Sequence, residues 1–154
     1  MRVTGPQAVG YLQEKLQVQV GRHLYAVLGT YGDLERFERV DLLHARDASG
    51  NALPQPLNLN LELLARIADD DLNELVGIEA RRPTAVQDRL GRELRALIAE
   101  YLGNSDLLIL SHLELLFAYG LDLSIFRTMA SNQNYIVLLL PAIRAGETIT
   151  LFHE

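Results

Sequence analysis

The chain has no cysteine, which excludes a disulfide framework, a thiolate metal site and a cysteine nucleophile, and suits a reducing compartment. Lysine is almost absent too: Lys15 stands alone, and the remaining positive charge is arginine. A formal net charge of -6 repels phosphate backbones, which argues against unaided nucleic-acid binding. No long apolar run is present either. Residues 1–20 lack the apolar core of a signal peptide, and the most apolar stretch, 135–141, falls far short of the roughly 20 residues of a membrane helix. A soluble, cytoplasmic protein without membrane contact is expected. What is there is 154 residues, 49% of them hydrophobic, enough for one domain spanning 1–154 with a substantial core.

Apolar periodicity sets the order of elements. Val9, Leu12, Leu16 and Val20 recur at helical spacing behind Pro6, so 1–20 reads as an amphipathic N-terminal helix leading into the core. A short apolar run at 24–28 stops at Gly29, and Asp33 is a plausible cap for a helix carrying Leu34, Phe37 and Val40. Asp47 to Asn51 is a turn by composition, and Pro54 and Pro56 keep the chain extended as far as a short strand at 57–60. Asn60 then caps a helix at 61–67. Asp69, Asp70 and Asp71 point in different directions and read as a solvated helix end rather than a metal cluster. Pro83 opens the longest helix, with Val86, Leu90, Leu94, Leu97, Ile98 and Tyr101 on one face and Gly103-Asn104 as its stop. Central strands are expected at 107–110 and 135–140, helices at 113–119 and 123–129, and a last strand at 148–152. Strands alternating with helices predict α/β layers, with about five mainly parallel strands between helices on both faces.

The segment from His23 to Arg36 has the order of a phosphate-binding P-loop: apolar strand, a turn with Gly29 and Gly32, then a helix. Its chemistry is missing. After the loop position Asp33, where a P-loop ends Gly-Lys-Ser/Thr, this chain has Leu34, Glu35 and Arg36, a carboxylate in place of the phosphate-binding ammonium and a guanidinium in place of the magnesium-binding hydroxyl. The later strand, which would end in a magnesium-binding carboxylate, runs into Ser111, with Glu114 three residues on. The same glycines also suit a plain strand-to-helix turn. Glu114 fits either a general base or a helix N-terminal charge that complements the dipole. Ser111 beside His112 resembles a nucleophile next to its base, but chain neighbours rarely face each other and there is no Gly-x-Ser-x-Gly elbow. His44 and His112 have no second ligand at metal-binding spacing. No catalytic residue, metal or cofactor is expected.

Four segments together resemble the small P-loop protein of bacteriophage-exclusion (BREX) defence islands, a relative of AAA+-like ATPases. They are residues 28–33, 56–63, 106–117, and the tail from Ser131-Asn132-Gln133-Asn134 through 148–151. The resemblance implies a three-layer P-loop NTPase-like fold with the first, third and fourth strands adjacent at the sheet centre, and a setting in phage defence. By the same resemblance the phosphate-loop lysine and threonine correspond to Glu35 and Arg36, and the acidic strand-end residue to Ser111. Glu114 matches an acidic position of the family.

A degenerate P-loop domain of this kind is expected to act as a non-catalytic assembly subunit, docking on a protein partner or forming a homo-oligomer. The alternative is a nucleotide hydrolase whose site is completed by another subunit. Arg81 and Arg82, with Arg89 and Arg92 on the polar face of the long helix, form a candidate interface stripe. Intrahelical pairing, such as Asp88 with Arg92, is the competing role for these arginines.

Overall fold

A computed structural model describes residues 2–152, the side chains of Asp69 and Asp70 excepted. Helix α1 (Gly5–Leu16) starts in a capping box: the Thr4 hydroxyl accepts from the Gln7 amide, and the Gln7 side chain accepts from the Thr4 amide. It stops at Leu16, short of Val20, which is exposed in the link to the first strand. Strand β1 (His23–Gly29) leads into α2 (Tyr31–Arg36), which continues as a π-helical segment, Phe37–Leu42. Next come β2 (Leu57–Asn58), α3 (Leu59–Arg66), α4 (Asp69–Glu79) and the long α5 (Pro83–Asn104). Strand β3 (Leu107–Ser111), α6 (Glu114–Ala118), α7 (Ser124–Met129), β4 (Tyr135–Ala145) and β5 (Thr148–Leu151) complete the order.

The sheet is α/β and mostly parallel, in the order β1-β4-β3-β2, with β5 folded back antiparallel on the far end of β4. β1 and β4 run in register from His23 opposite Tyr135 to Gly29 opposite Pro141. The strand run of three expected from the sequence is present, but its order corrects the expectation that β1 sits at the centre. β4 is the inner strand, and β1 is an outer one. Burial gives the reason: Ile136 to Ala142 are buried without a break, as a strand covered on both faces requires, whereas Ala26 and Leu28 of β1 are exposed.

Side-chain alternation along the strands divides the core into two layers. Leu108, Leu110, Ile136, Leu138 and Leu140 pack with α3, α5, α6 and α7, around Leu59, Leu97, Ile98, Leu116 and Phe126. Ile109, Val137 and Leu139 point the other way and pack with Leu12 of α1, Leu34 of α2, and Phe37 and Leu42 of the π-helical segment. Full burial of a leucine in either layer contributes about 2 kcal/mol. A smaller cluster, Ile67, Val86 and Leu90 with Leu72 and Leu75, seats α4 on α5.

Helix starts depart from the sequence reading by a few residues, for a common reason. Thr30, not Asp33, caps α2, and Asn58, not Asn60, caps α3. In both places the earlier polar residue takes the extended backbone of a cap, and the later one is left for a tertiary contact or for the third helical position. Of the acidic run, the carboxylates of Asp69 and Asp70 lie outside the described residues, and Asp71 forms an ion pair with Arg89.

Candidate functional site

In a parallel sheet the crevice beyond the carboxyl ends of the strands is the usual ligand site. Here β1 and β3 end, and β4 passes with Leu139 and Pro141, beside a cleft of about 310 Å³ whose walls include Tyr31, Glu35, Glu38, Arg39, Ser111, His112 and Glu114. The tertiary fold therefore brings together three of the sequence-selected positions, Glu35, Ser111 and Glu114, although 76 residues separate Glu35 from Ser111 in the chain.

The strand-to-helix junction is not a phosphate loop. Only Thr30 lies between β1 and α2, so Gly32, Asp33, Glu35 and Arg36 all fall inside the helix. The Thr30 hydroxyl accepts from the Asp33 amide at 3.1 Å, and the Thr30 amide donates to the Asp33 carboxylate at 3.3 Å. Two amides that could have met an anion are thereby taken within the chain. The left-handed glycines of the chain are Gly21, Gly50, Gly120 and Gly146, so neither Gly29 nor Gly32 supplies the backbone turn of an anion nest. Gly29 instead sits close to the helix: a Cβ there would lie 3.2 Å from the Cβ of Asp33, a tight contact. Glu35 is exposed and pairs with Arg39 at 2.9 Å, one helical turn on.

On the opposite wall, Ser111 is buried at the end of β3. His112 follows with φ of 55°, a left-handed conformation uncommon for a residue with a side chain. Chain neighbours rarely face each other, but here they do: with this turn the imidazole Nδ1 lies 3.0 Å from the Ser111 hydroxyl. The hydroxyl also faces the Leu57 carbonyl at 3.5 Å, and Glu38 lines the same cleft. One hydroxyl proton serves only one of these acceptors at a time. Ser111 thus ties β3 to β2, and its hydroxyl is already engaged by the Leu57 carbonyl and the His112 imidazole.

Burial raises the Glu38 carboxyl above its ordinary value, and the neighbouring Glu35 charge adds to this. The charge of His112, the hydrogen bond from Ser111 and the charge of Arg39 oppose it. Burial wins because water is replaced on one side of the carboxylate. Glu114 is held more firmly: the Asn60 side-chain amide donates to Oε2 at 2.8 Å, and the Tyr31 hydroxyl donates to Oε1 at 3.4 Å. Asn60 also accepts from the Leu115 amide at 3.1 Å, and its own amide donates to the His112 carbonyl. One asparagine therefore fastens α3 to the turn that carries His112 and Glu114. Glu38, Tyr31, Arg39 and Asn60 were not identifiable as site residues from the sequence. Only the asparagine and tyrosine carry side chains suggestive of recognition, and nothing in their spacing points to this end of the sheet.

The arginine stripe is divided. Arg81, Arg82 and Arg92 are exposed. Arg89 is half-buried, and it bridges two helices through Glu93 at 3.0 Å and Asp71 at 3.2 Å. The intrahelical pair that forms is Arg89 with Glu93, and among the described ion pairs Asp88 and Arg92 have none.

Among the described residues no three His, Asp or Glu side chains converge to hold a metal ion, and no helix is long and apolar enough to cross a membrane. Compared with known protein families, with curated proteins and with solved structures, the chain has no match.

Proposed function

We propose that this chain is an interaction module: a domain with a P-loop-like order of strands and helices that does not turn over nucleotide and acts by docking on itself or on a protein partner. The observation that carries this reading is the junction after β1. A strand that passes through one residue into a capped helix offers no cradle for a triphosphate, and its two capping amides are already bonded to Thr30 and Asp33. The cleft beside it presents three carboxylates, Glu35, Glu38 and Glu114, against Arg39, which Glu35 already pairs, and His112. A phosphate oxygen about 4 Å from one such carboxylate would be repelled by about 4 kcal/mol at an effective dielectric of 20. A site completed by a neighbouring subunit would face the same carboxylates and the same occupied amides. The likeness of four sequence segments to bacteriophage-exclusion proteins implies a setting in phage defence for this module.

Calorimetric titration with ATP and GTP, with and without magnesium, tests the reading. No heat of binding is expected at tens of micromolar protein, and micromolar affinity would overturn it. The double variant Glu35→Lys, Arg36→Thr restores the missing side chains without restoring a loop. It is expected to fold and still bind no triphosphate, because the backbone geometry is absent as well as the charge.

A further inference from the structure

The outer strands β1 and β2 of the parallel sheet are guarded differently. β2 is two residues long, too short to template another strand. β1 is a seven-residue strand with no proline and no acidic or basic residue other than the buried His23. Among the described residues, the only backbone hydrogen bonds that reach it come from β4. Natural edge strands are normally blunted by charge, proline, a bulge or a covering element, because open amides and carbonyls invite pairing. Tyr25 and Val27 pack toward α1 and α2. On the other face Ala26 is exposed and Leu28 is 44% exposed, and just before the strand Val20 is 81% exposed.

We propose that β1 pairs antiparallel with β1 of a second copy of this chain, about a two-fold axis at Ala26, joining two sheets into one. The strand is self-complementary in that register. Leu24 falls opposite Leu28 of the other copy, Tyr25 opposite Val27, and Ala26 opposite itself, so every facing pair within the inner five residues is apolar or aromatic. The flanks are complementary in charge. Arg22, exposed and in none of the described ion pairs, comes opposite Thr30, at the helix start that carries the Asp33 carboxylate. The two-fold axis repeats this contact at both ends, as an isologous interface requires. The pairing rests on the interaction-module reading and names its surface. A contact of this width is smaller than the about 1,600 Å² of a standard stable interface, so a micromolar dimer is expected.

Sedimentation velocity of the full chain at tens of micromolar tests the pairing. Wild-type protein should sediment as a dimer. Ala26→Lys and Ala26→Glu each place like charges face to face at the axis, and each should weaken the dimer by at least about tenfold. An equimolar mixture of the two variants should recover it. Circular dichroism melts of the separate variants establish that they fold. Should either fail to fold, hydrogen exchange of the wild type at high and low concentration reads the same contact, with concentration-dependent protection expected at residues 23–29. A wild-type monomer, a dimer indifferent to both charges, a folded pair of variants that does not recover, or exchange at 23–29 independent of concentration would each overturn the pairing. A monomer that binds a heterologous protein would leave the interaction-module reading standing, whereas nucleotide binding would remove that reading whatever the oligomeric state.

Discussion

The two ends of the parallel strands hold their polar groups in opposite ways. At the amino end, His23 is 1% exposed and stacks on Tyr135 with ring centroids 4.2 Å apart and planes inclined by 16°. Its Nδ1 meets the Tyr25 hydroxyl at 2.8 Å, and its Nε2 is buried without a hydrogen-bond partner. The Tyr135 hydroxyl donates to the Val18 carbonyl, so the link from α1 is fastened to the same cluster. Burial raises the Tyr25 hydroxyl above its ordinary value, and Tyr135 adds to the shift. At the carboxyl end, Glu38, Ser111, His112 and Glu114 surround open space, on a left-handed residue and a π-helical segment rather than on regular backbone. The contrast separates two uses of polar side chains. Those at the amino end fill volume and hold elements together, whereas those at the carboxyl end are held apart by their own hydrogen bonds and leave a crevice. Parallel topology is the cause, since crossovers to opposite faces diverge only beyond the carboxyl ends of the strands.

Substitutions at three positions test this contrast, in order of falling effect. His23→Ala removes a buried ring from between two tyrosines and leaves a cavity, so urea unfolding should show a loss of about 2–4 kcal/mol. A loss under 1 kcal/mol would mean that the unpartnered Nε2 cancels the packing, and the amino end would not be the firmer one. His112→Val puts a β-branched residue in a left-handed conformation and should cost about 1–2 kcal/mol, whereas His112→Gly should stay near neutral, with relief of strain offsetting the lost contact to Ser111. Equal effects of the two would show that the imidazole, not the backbone, sets the turn.

The smallest effect is the one with a pH signature. The Glu38 carboxyl is raised in the folded state above its ordinary value near 4.5. The folded chain therefore holds this proton more tightly than the unfolded one. Stability from that proton is fully present below the unfolded value and is lost as pH rises through the folded one. Glu38→Gln keeps the shape and removes the ionisation. Thermal melts should place the variant slightly above wild type at pH 7 and level with it near pH 4. A wild type more stable at pH 7 would show that His112, Ser111 and Arg39 outweigh burial.

Local pattern made several elements legible. The five-position stripe from Val86 to Ile98 specified α5, and the apolar runs before Gly29, Ser111 and Pro141 specified β1, β3 and β4. Ser111 and Glu114 could be located at a strand end for the same reason. The helix α4 was not legible as an element, because its polar sequence buries little of its own surface and it is seated by a small cluster against α5.

By itself, then, the sequence determined the alternation of strands and helices, because periods of 2 and 3.6 are written in neighbouring residues. It also determined that no lysine follows the glycines after β1, that no carboxylate ends β3, and that the chain has no thiol. Only the tertiary structure decided that β4 and not β1 is the inner strand, since both are apolar and their order depends on pairings more than a hundred residues apart. It likewise decided that Thr30 starts the helix early enough to abolish the loop, and that Asn60, Glu38 and Tyr31 converge on Ser111 and Glu114. Caps and clefts are settled by competition among neighbouring polar groups for the same amides and the same space, and that competition is decided only when distant segments meet.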